Sequence, residues 1–521
     1  MNKKMFILGV DGASYDLVQK YISENKLPNF KKLQDLHFLA ILESTIPPHT
    51  APGWVTAFTG VGPGQHGVYQ FWDTQSEDYE GRLIGSNDFA KEPVWNILNK
   101  YGIKTGVVNV PMTHPPKKLD GYMISWPLSN TLRYCEPPEL LLAIARNQGH
   151  FASDYSTMYD GELNYIDRAI ENTRKRVKTC EYLIANTEWD LLINVFSEVD
   201  RISHFYWQYM DEESSDYNEN VDKMYQTAIQ DIYVEVDKAL GNIIKLLPNE
   251  AFLMVLSDHG FGRGDFNYYI QTFLQEFDLL QIKPTATSST LEENKSLQNT
   301  EVSAKNWFEV VYDGEKYEVD WANTIAYMSA PGSYGININL KGRQSQGIVE
   351  IKDYEKYRDV LIKKISNITH PTTKKQIFSK VLRREEVYFG EQVKSAPDLI
   401  VIPADYGTML HHSLNPGVLI DAPEQKGMHR VEGIIGIHGR EYKVTKKMNE
   451  AKLEDITPTI LEFFGVPIPE YIEGESLCKF LNTEEQEFLP QKENAQLSGD
   501  ANYSEEEIDE AKEGLRALGY L

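Results

Sequence analysis

Short, mostly apolar runs recur through the first half of the chain, at 6–10, 104–110, 191–196 and 252–256. Helical stretches lie between them, including 92–101 and a long one near 165–187. Continuous apolar strands alternating with helices predict an α/β fold, with a mostly parallel central sheet covered by helices on both faces. In such sheets, ligand sites gather beyond the carboxyl ends of the strands. Asp11 and Asp258 stand at that place, and Asp200 follows its strand by four residues.

The pattern changes after residue 265. Residues 284–305 are rich in Ser, Thr, Asn and Glu and read as an exposed loop. Segments 307–319 and 334–340 then read as antiparallel strands. Ile336-Asn-Ile-Asn-Leu340 alternates at period two, as a half-exposed strand does. The α/β pattern is expected to resume at 398–402, followed by a helix at 453–464 that Gly465 and Pro467 close. Residues 482–500 are polar and acidic. Ser504 with Glu507 forms a capping-box pattern, and Ile508, Ala511, Leu515 and Leu518 recur at helical spacing. The expected organisation is a discontinuous core (1–265 and 395–481), an inserted α+β cap (266–394), an acidic linker (482–503) and a C-terminal helix (504–521). That helix is expected to dock on the body or on a second copy, as in a homo-oligomer.

Composition narrows the function. With 521 residues, 41% apolar and 11% aromatic, the chain can build a large globular core. A formal charge of −25 disfavours a duplex nucleic-acid surface. It leaves room for a small anionic substrate, because bound metals invert the local field. Three sparse cysteines, Cys135, Cys180 and Cys478, do not make a disulfide framework and fit a reducing compartment. Residues 5–10 are too short for a signal segment and no run approaches a membrane span, so a cytoplasmic protein is expected.

The candidate chemistry sits at the strand ends. Asp258-His259-Gly260 closes one apolar run, and a carboxylate beside an imidazole there suits a divalent metal. Asp-His-Gly also makes a good turn, so the pair alone is an even bet. Asp200 and His204 are four apart and share a helix face, which fits one ion or a plain surface contact. Asp11 alone is more often a turn residue, and His438, between glycines, more often a loop histidine. Thr50 precedes Pro52 at an expected helix start, where backbone N–H groups favour an anion. Taken alone it is more often a helix cap. The ordered combination is what points to two metals and a hydroxyl nucleophile.

That ordered set resembles the alkaline phosphatase superfamily, in its type I phosphodiesterase/nucleotide pyrophosphatase branch, over most of the chain. Thr45-Ile-Pro-Pro-His-Thr-Ala-Pro-Gly-Trp54, Thr59-Gly60 and Gly64-Gln-His-Gly67 resemble the nucleophile segment. Glu198-Val-Asp-Arg-Ile-Ser-His204, Ser257-Asp-His-Gly-Phe-Gly262 and Gly436-Ile-His-Gly439 resemble the metal segments. Gly335-Ile-Asn-Ile-Asn-Leu-Lys-Gly-Arg343 and Arg516-Ala-Leu-Gly-Tyr-Leu521 are similar to a prokaryotic subgroup described as phosphohydrolases or phosphomutases. The resemblance implies that Asp200, His204 and His438 hold one metal, and that Asp11, Asp258 and His259 hold the other, with Thr50 on it. It implies zinc, with manganese the alternative, and two ions on the order of 4 Å apart. Thr50 would attack phosphorus in line and form a phosphothreonine that water then hydrolyses.

The chain departs from the pattern at two positions. Where nucleotide pyrophosphatases carry Asn, this chain has Phe71 and Gly53. Arg201 and Arg343 are the leading candidates for substrate contact, with Lys341, His429 and Arg430 behind them. His66 is as readily structural as functional. The expected function is a phosphodiesterase or pyrophosphatase acting on a small phosphoester. A phosphomonoesterase or phosphomutase is the alternative, and a non-catalytic module that keeps the fold is a third reading. A sulfatase is disfavoured because Cys135-Glu-Pro-Pro-Glu139 ends in Glu where Arg is needed.

Overall fold

The computed structural model describes residues 3–36, 38–154, 164–214, 216–285, 308–312, 315–423, 425–439, 450–480, 488–491 and 502–517. Nine strands build the main sheet: β1 (Met5–Val10), β2 (Phe38–Glu43), β3 (Thr105–Val108), β4 (Gly121–Ile124), β5 (Cys135–Glu136), β6 (Leu191–Phe196), β7 (Phe252–Leu256), β8 (Glu432–His438) and β9 (Glu450–Lys452). Their spatial order is β9-β2-β8-β7-β1-β6-β3-β4-β5. All run one way except β5, at an edge, and β8, which is antiparallel to both β2 and β7.

Strand side chains alternate between two apolar cores, so both sheet faces are covered. Phe6, Leu8, Leu192, Leu253 and Val255 face one side. There they meet α2 (Tyr165–Asn186), α3 (Glu198–Met210) and α4 (Lys223–Leu246). Met5, Ile7, Ile193, Phe252 and Met254 face the other. That side is closed by α1 (Thr50–Thr59) and α5 (Ile456–Phe464). This two-sided burial explains why the strands read as unbroken apolar runs. Gly9 permits the closest approach: a Cβ there would lie 2.6 Å from the Trp54 ring of α1.

Beyond residue 265 the chain forms a four-stranded antiparallel sheet, ordered Ala326–Met328, Gly335–Ile338, Leu399–Pro403 and Phe378–Arg383, over its own core. The 399–403 strand therefore does not rejoin the main sheet as expected, and the chain returns there only at β8. An apolar run buried on both faces cannot disclose which sheet it enters. Nor is the 335–338 strand half-exposed. Asn337 and Asn339 are buried, donating to the carbonyls of Thr74 and Trp321.

Arg343 is committed to this second sheet. Its guanidinium grips both oxygens of buried Asp398, at 2.7 and 2.6 Å, so it is not the substrate contact expected. Lys341 pairs with exposed Glu350.

A strap over 69–79 is laced onto the body of the second sheet. Tyr69 donates to Gln392 O, Gln70 to Pro331 O, Thr74 to Ser395 O, Gln75 to Ala396 O, and Tyr79 to Asn339 Oδ1. The last helix, α6 (Glu505–Ala517), begins with the expected Ser504–Glu507 capping box and docks on the body. Ala511 and Leu515 are fully buried in a cluster with Ala51, Val55, Phe71 and Trp126. Leu518 and most of the 284–305 and 482–503 segments lie outside the described residues. All three cysteines are buried thiols without a bridge. Among the described residues, no helix is long and apolar enough to cross a membrane.

Candidate functional site

The carboxyl ends of β1, β6 and β7 converge. Asp11 follows β1, and Asp258 with His259 follows β7. Asp200 and His204 lie one turn apart near the start of α3, just after β6. Thr50 opens α1, whose N-terminus points into the same space. Two groups form, each with ligand atoms within 4.8 Å of one another: Asp11, Asp258 and His259, and Asp200, His204 and His429. All six are buried.

His438 is absent from this gathering. β8 runs against β7, and His438 pairs with Leu253 at the start of β7, the end remote from Asp258. The same reversal brings the N-terminal end of β8 to the site, together with the Gly427–Arg430 strand that precedes it. His429 therefore occupies the place expected of His438. The error lay in reading β8 as one more parallel strand; a histidine upstream of it was the available signal.

Each carboxylate has one oxygen held and one left over. Trp54 Nε1 donates to Asp11 Oδ2 at 3.0 Å, Gly12 N to Asp258 Oδ1 at 3.2 Å, and Arg201 Nη1 to Asp200 Oδ2 at 3.2 Å. Asp11 Oδ1, Asp258 Oδ2 and Asp200 Oδ1 are buried and accept no hydrogen bond. The histidines show the same division. Nδ1 of His204, His259 and His429 lies 3.0, 3.0 and 3.3 Å from the carbonyls of Gly427, Gly260 and Pro48. A carbonyl partner places the proton on Nδ1 and turns the Nε2 lone pair inward. His204 Nε2 and His429 Nε2 then stand 3.1 Å apart, and each is 3.4 Å from Asp200 Oδ1.

Six inward-facing, buried acceptors are costly without a counter-charge. The electrostatics say the same. Burial, then Asp258 and Asp200, push the Asp11 carboxyl well above its usual range. Burial and Asp200 do the same to Asp258. Burial would also raise Asp200, but His204, His429 and Arg201 outweigh it and hold that carboxyl well below. Burial keeps His259 and His429 below the ordinary imidazole value, hence neutral. The donor set of carboxylates and imidazoles, without thiolate, fits divalent zinc or manganese.

Thr50 is the first residue of α1, and His49 is its cap, accepting from Ala51 N at 3.1 Å. Thr50 is thus not the capping residue, and its Oγ1 lies 3.2 Å from His259 Nε2. Ala51 N is occupied and Pro52 has no N–H, so this helix start offers an anion less than expected. Gly53 is explained by packing: a Cβ there would lie 3.1 Å from Asp258 Cβ. Phe71 is buried, its ring edge-on to His49 at 5.1 Å and stacked on Trp126 at 5.8 Å. His66 is structural, paired with Thr56 Oγ1 at 2.9 Å inside the core. Arg201, 3% exposed, is held by two carboxylates. Arg430 donates to backbone carbonyls of Tyr406 and Arg263.

A cavity opens in front of the Asp200 group, lined by His49, His204, His429, Tyr334, Tyr406, Met409 and neighbours. No Lys or Arg is among its lining residues.

Residues 5–432 match the sequence model of the Type I phosphodiesterase / nucleotide pyrophosphatase family. No curated protein sequence matches the chain. Solved structures do. Phosphonoacetate hydrolase from Sinorhizobium meliloti 1021, in complex with phosphonoformate, superposes with a TM-score of 0.53 at 14% identity, over 89% of this chain and 95% of that one. An inactive variant of murine ectonucleotide pyrophosphatase / phosphodiesterase 5, in complex with AMP, gives 0.53 at 13% identity, over 92% and 100%.

Proposed function

Because the chain belongs to the type I phosphodiesterase / nucleotide pyrophosphatase family, we propose that it cleaves a small phosphodiester through a covalent phosphothreonine on Thr50. The observation that carries this reading is the division of labour at six side chains: each has one atom pinned and one inward, on two adjoining groups, one of which reaches Thr50 Oγ1 through His259 Nε2. Asp11, Asp258 and His259 would hold one divalent cation, and Asp200, His204 and His429 a second, zinc or manganese. Such ions supply charge that favours the deprotonated Thr50 hydroxyl and offsets negative charge on the transferred phosphoryl group.

The chain's own residues do the rest. His49 fixes the first turn of α1 and so the direction of Thr50 Oγ1. Thr50 Oγ1, its proton given up to solvent, bonds to phosphorus as the P–O bond to the leaving alcohol breaks on the opposite side and that alkoxide takes up a proton. Water then cleaves the P–O bond to Thr50, regenerating the hydroxyl and releasing a phosphomonoester. Burial of the whole constellation excludes stray water from the first step.

The cavity favours a diester over a monoester or a mutase substrate. A dianionic phosphate gains from fixed cations around it, and the lining residues include no Lys or Arg. For the same reason a second anionic group, such as the carboxylate of the phosphonoacetate hydrolase ligands, is poorly matched here.

The test is direct. Thr50→Ala should lower hydrolysis of a synthetic diester by about 10³-fold or more while the metals stay bound. Wild-type protein quenched in acid should carry labelled phosphate on Thr50. An unchanged rate in Thr50→Ala sinks the covalent mechanism. A matching monoester turned over faster than the diester sinks the substrate assignment.

A further inference from the structure

Behind the Asp200 group runs a buried chain of alternating charges. Glu198 Oε1 accepts from Arg176 Nε at 2.6 Å, and Arg176 Nη2 donates to Asp154 Oδ1 at 2.8 Å. Asp154 Oδ2 accepts from Arg201 Nη2 at 2.7 Å, and Arg201 Nη1 reaches Asp200 Oδ2 at 3.2 Å. All five side chains are at most 3% exposed. Asp154 is the hub, since Ser197 Oγ and Asn109 Nδ2 also donate to Oδ1, and Trp126 Nε1 to Oδ2 at 2.6 Å. These donors come from the ends of β3, β4 and β6 and from α2 and α3, so the hub is tied to the same sheet edge as the site.

We propose that Arg201 is a positioning residue. Clamped by Asp154, it pins Asp200 Oδ2 and thereby presents Asp200 Oδ1 alone to the cation shared with His204 and His429. This rests on the reading of that group as a metal site. The guanidinium fork is what the task needs, because one planar group must engage two carboxylates on separate elements in fixed geometry. A lysine ammonium keeps the charge but cannot hold both partners in one plane. Without the clamp, Asp200 is free to turn its second oxygen inward or to rotate away, and the cation loses a fixed ligand. Outer partners of metal ligands characteristically act this way, at a cost of about 10–100-fold in metal affinity when removed. Burial of Arg201 behind Asp200 also separates this role from the phosphate contact suggested by the sequence.

The test titrates metal-free protein with Zn²⁺ against a chromophoric chelator. Wild type should show two binding steps, and His429→Asn identifies the one that belongs to the Asp200 group by its loss. Arg201→Lys should weaken that step by about 10–100-fold, leave the other step unchanged, and leave the melting temperature of the metal-free protein within a few degrees. Trp126→Phe, which removes one donor from Asp154 Oδ2 without touching a charge, should weaken the same step by several-fold. It decides the matter should Arg201→Lys not fold. Two unchanged steps in a folded variant overturn the inference alone, and a raised KM with unchanged Zn²⁺ binding would return Arg201 to substrate contact. Equal weakening of both steps together with a fall in melting temperature overturns it in favour of a general structural role. A wild-type protein that takes up no Zn²⁺ overturns both the inference and the metal site beneath it.

Discussion

At the residue scale, His429, on the short strand before β8, and His438, at the last position of β8, give the sharpest contrast. His429 contributes an inward Nε2, whereas His438 lies at the far edge of the sheet. His429→Asn should cost one metal ion and at least about 10²-fold in rate, by analogy with loss of a ligand's partner. His438→Asn should retain both ions and most of the activity. Metal analysis after dialysis, beside a rate assay, checks the pair. Gly53 makes a second residue-scale point. An added methyl meets Asp258 at 3.1 and 3.3 Å, against backbone as well as side chain. Gly53→Ala should destabilise by about 1–3 kcal/mol in denaturant unfolding and displace the Asp258 side chain as it does so. In the sequence Gly53 read as a missing donor. Its actual role, permitting close approach of α1 to the strand end, needs the packing of two distant segments and could not be read from either.

At the element scale, α6 is part of the wall behind Thr50. Its Ala511 and Leu515 share a cluster with Ala51 and Val55, the neighbours of Thr50 on α1. Leu515→Asp should release the helix and reduce hydrolysis while far-ultraviolet circular dichroism shows the sheet intact. The docking also depends on pH. Burial would raise the Glu507 carboxyl, but Ser504 N, Arg133 and nearby groups take it down to about 2. An unfolded Glu titrates near ~4.3, so this stabilisation is full above that value and is lost as pH falls from ~4.3 toward 2. His114 faces Glu507 at 3.8 Å, and burial holds it down at about 4. Its neutral form is the one docked, so its contribution is present above the unfolded value of ~6.5 and declines as pH falls from there toward 4. Both act in one direction. Protease resistance of α6 should fall on acidification from pH 7 to 3, and Glu507→Gln should remove the lower part of that loss. The helix and its capping box were legible, because Ser504, Glu507 and the i, i+3, i+7, i+10 apolar spacing of Ile508, Ala511, Leu515 and Leu518 are local signals. What the helix covers was not, because its partners, Ala51, Val55, Phe71 and Trp126 among them, lie in distant parts of the chain.

At the scale of the whole molecule, the parallel sheet and the two-sided core were readable from unbroken apolar strands separated by helices. The sites at Asp11, Asp200 and Asp258 followed from the rule that ligands collect at strand carboxyl ends. Two topological facts were hidden for the same reason. The 399–403 strand and β8 are apolar runs like the others, and neither sheet membership nor direction leaves a mark on such a run. The reversed β8 alone exchanged one histidine for another in the site. Metal removal should be felt throughout the fold, since the six inward atoms join the ends of β1 and β7, helix α3 and the strand before β8. Saturation at about 10³ times the dissociation constant adds roughly 4 kcal/mol. The melting temperature should therefore rise with added Zn²⁺ and fall with a chelator, and a scan insensitive to both would contradict the site.

The strap over 69–79 bears on traffic through this enzyme. Hydrogen bonds spread along its length fasten it to the body of the second sheet, and the tyrosines at both of its ends are themselves buried. Tyr334, from the core of that same body, lines the cavity in front of the Asp200 group together with Tyr406 and Met409. On the reading proposed above, an ester reaches the Asp200 group past these side chains, so a synthetic diester with a bulky alcohol group should be hydrolysed more slowly than one with a small group.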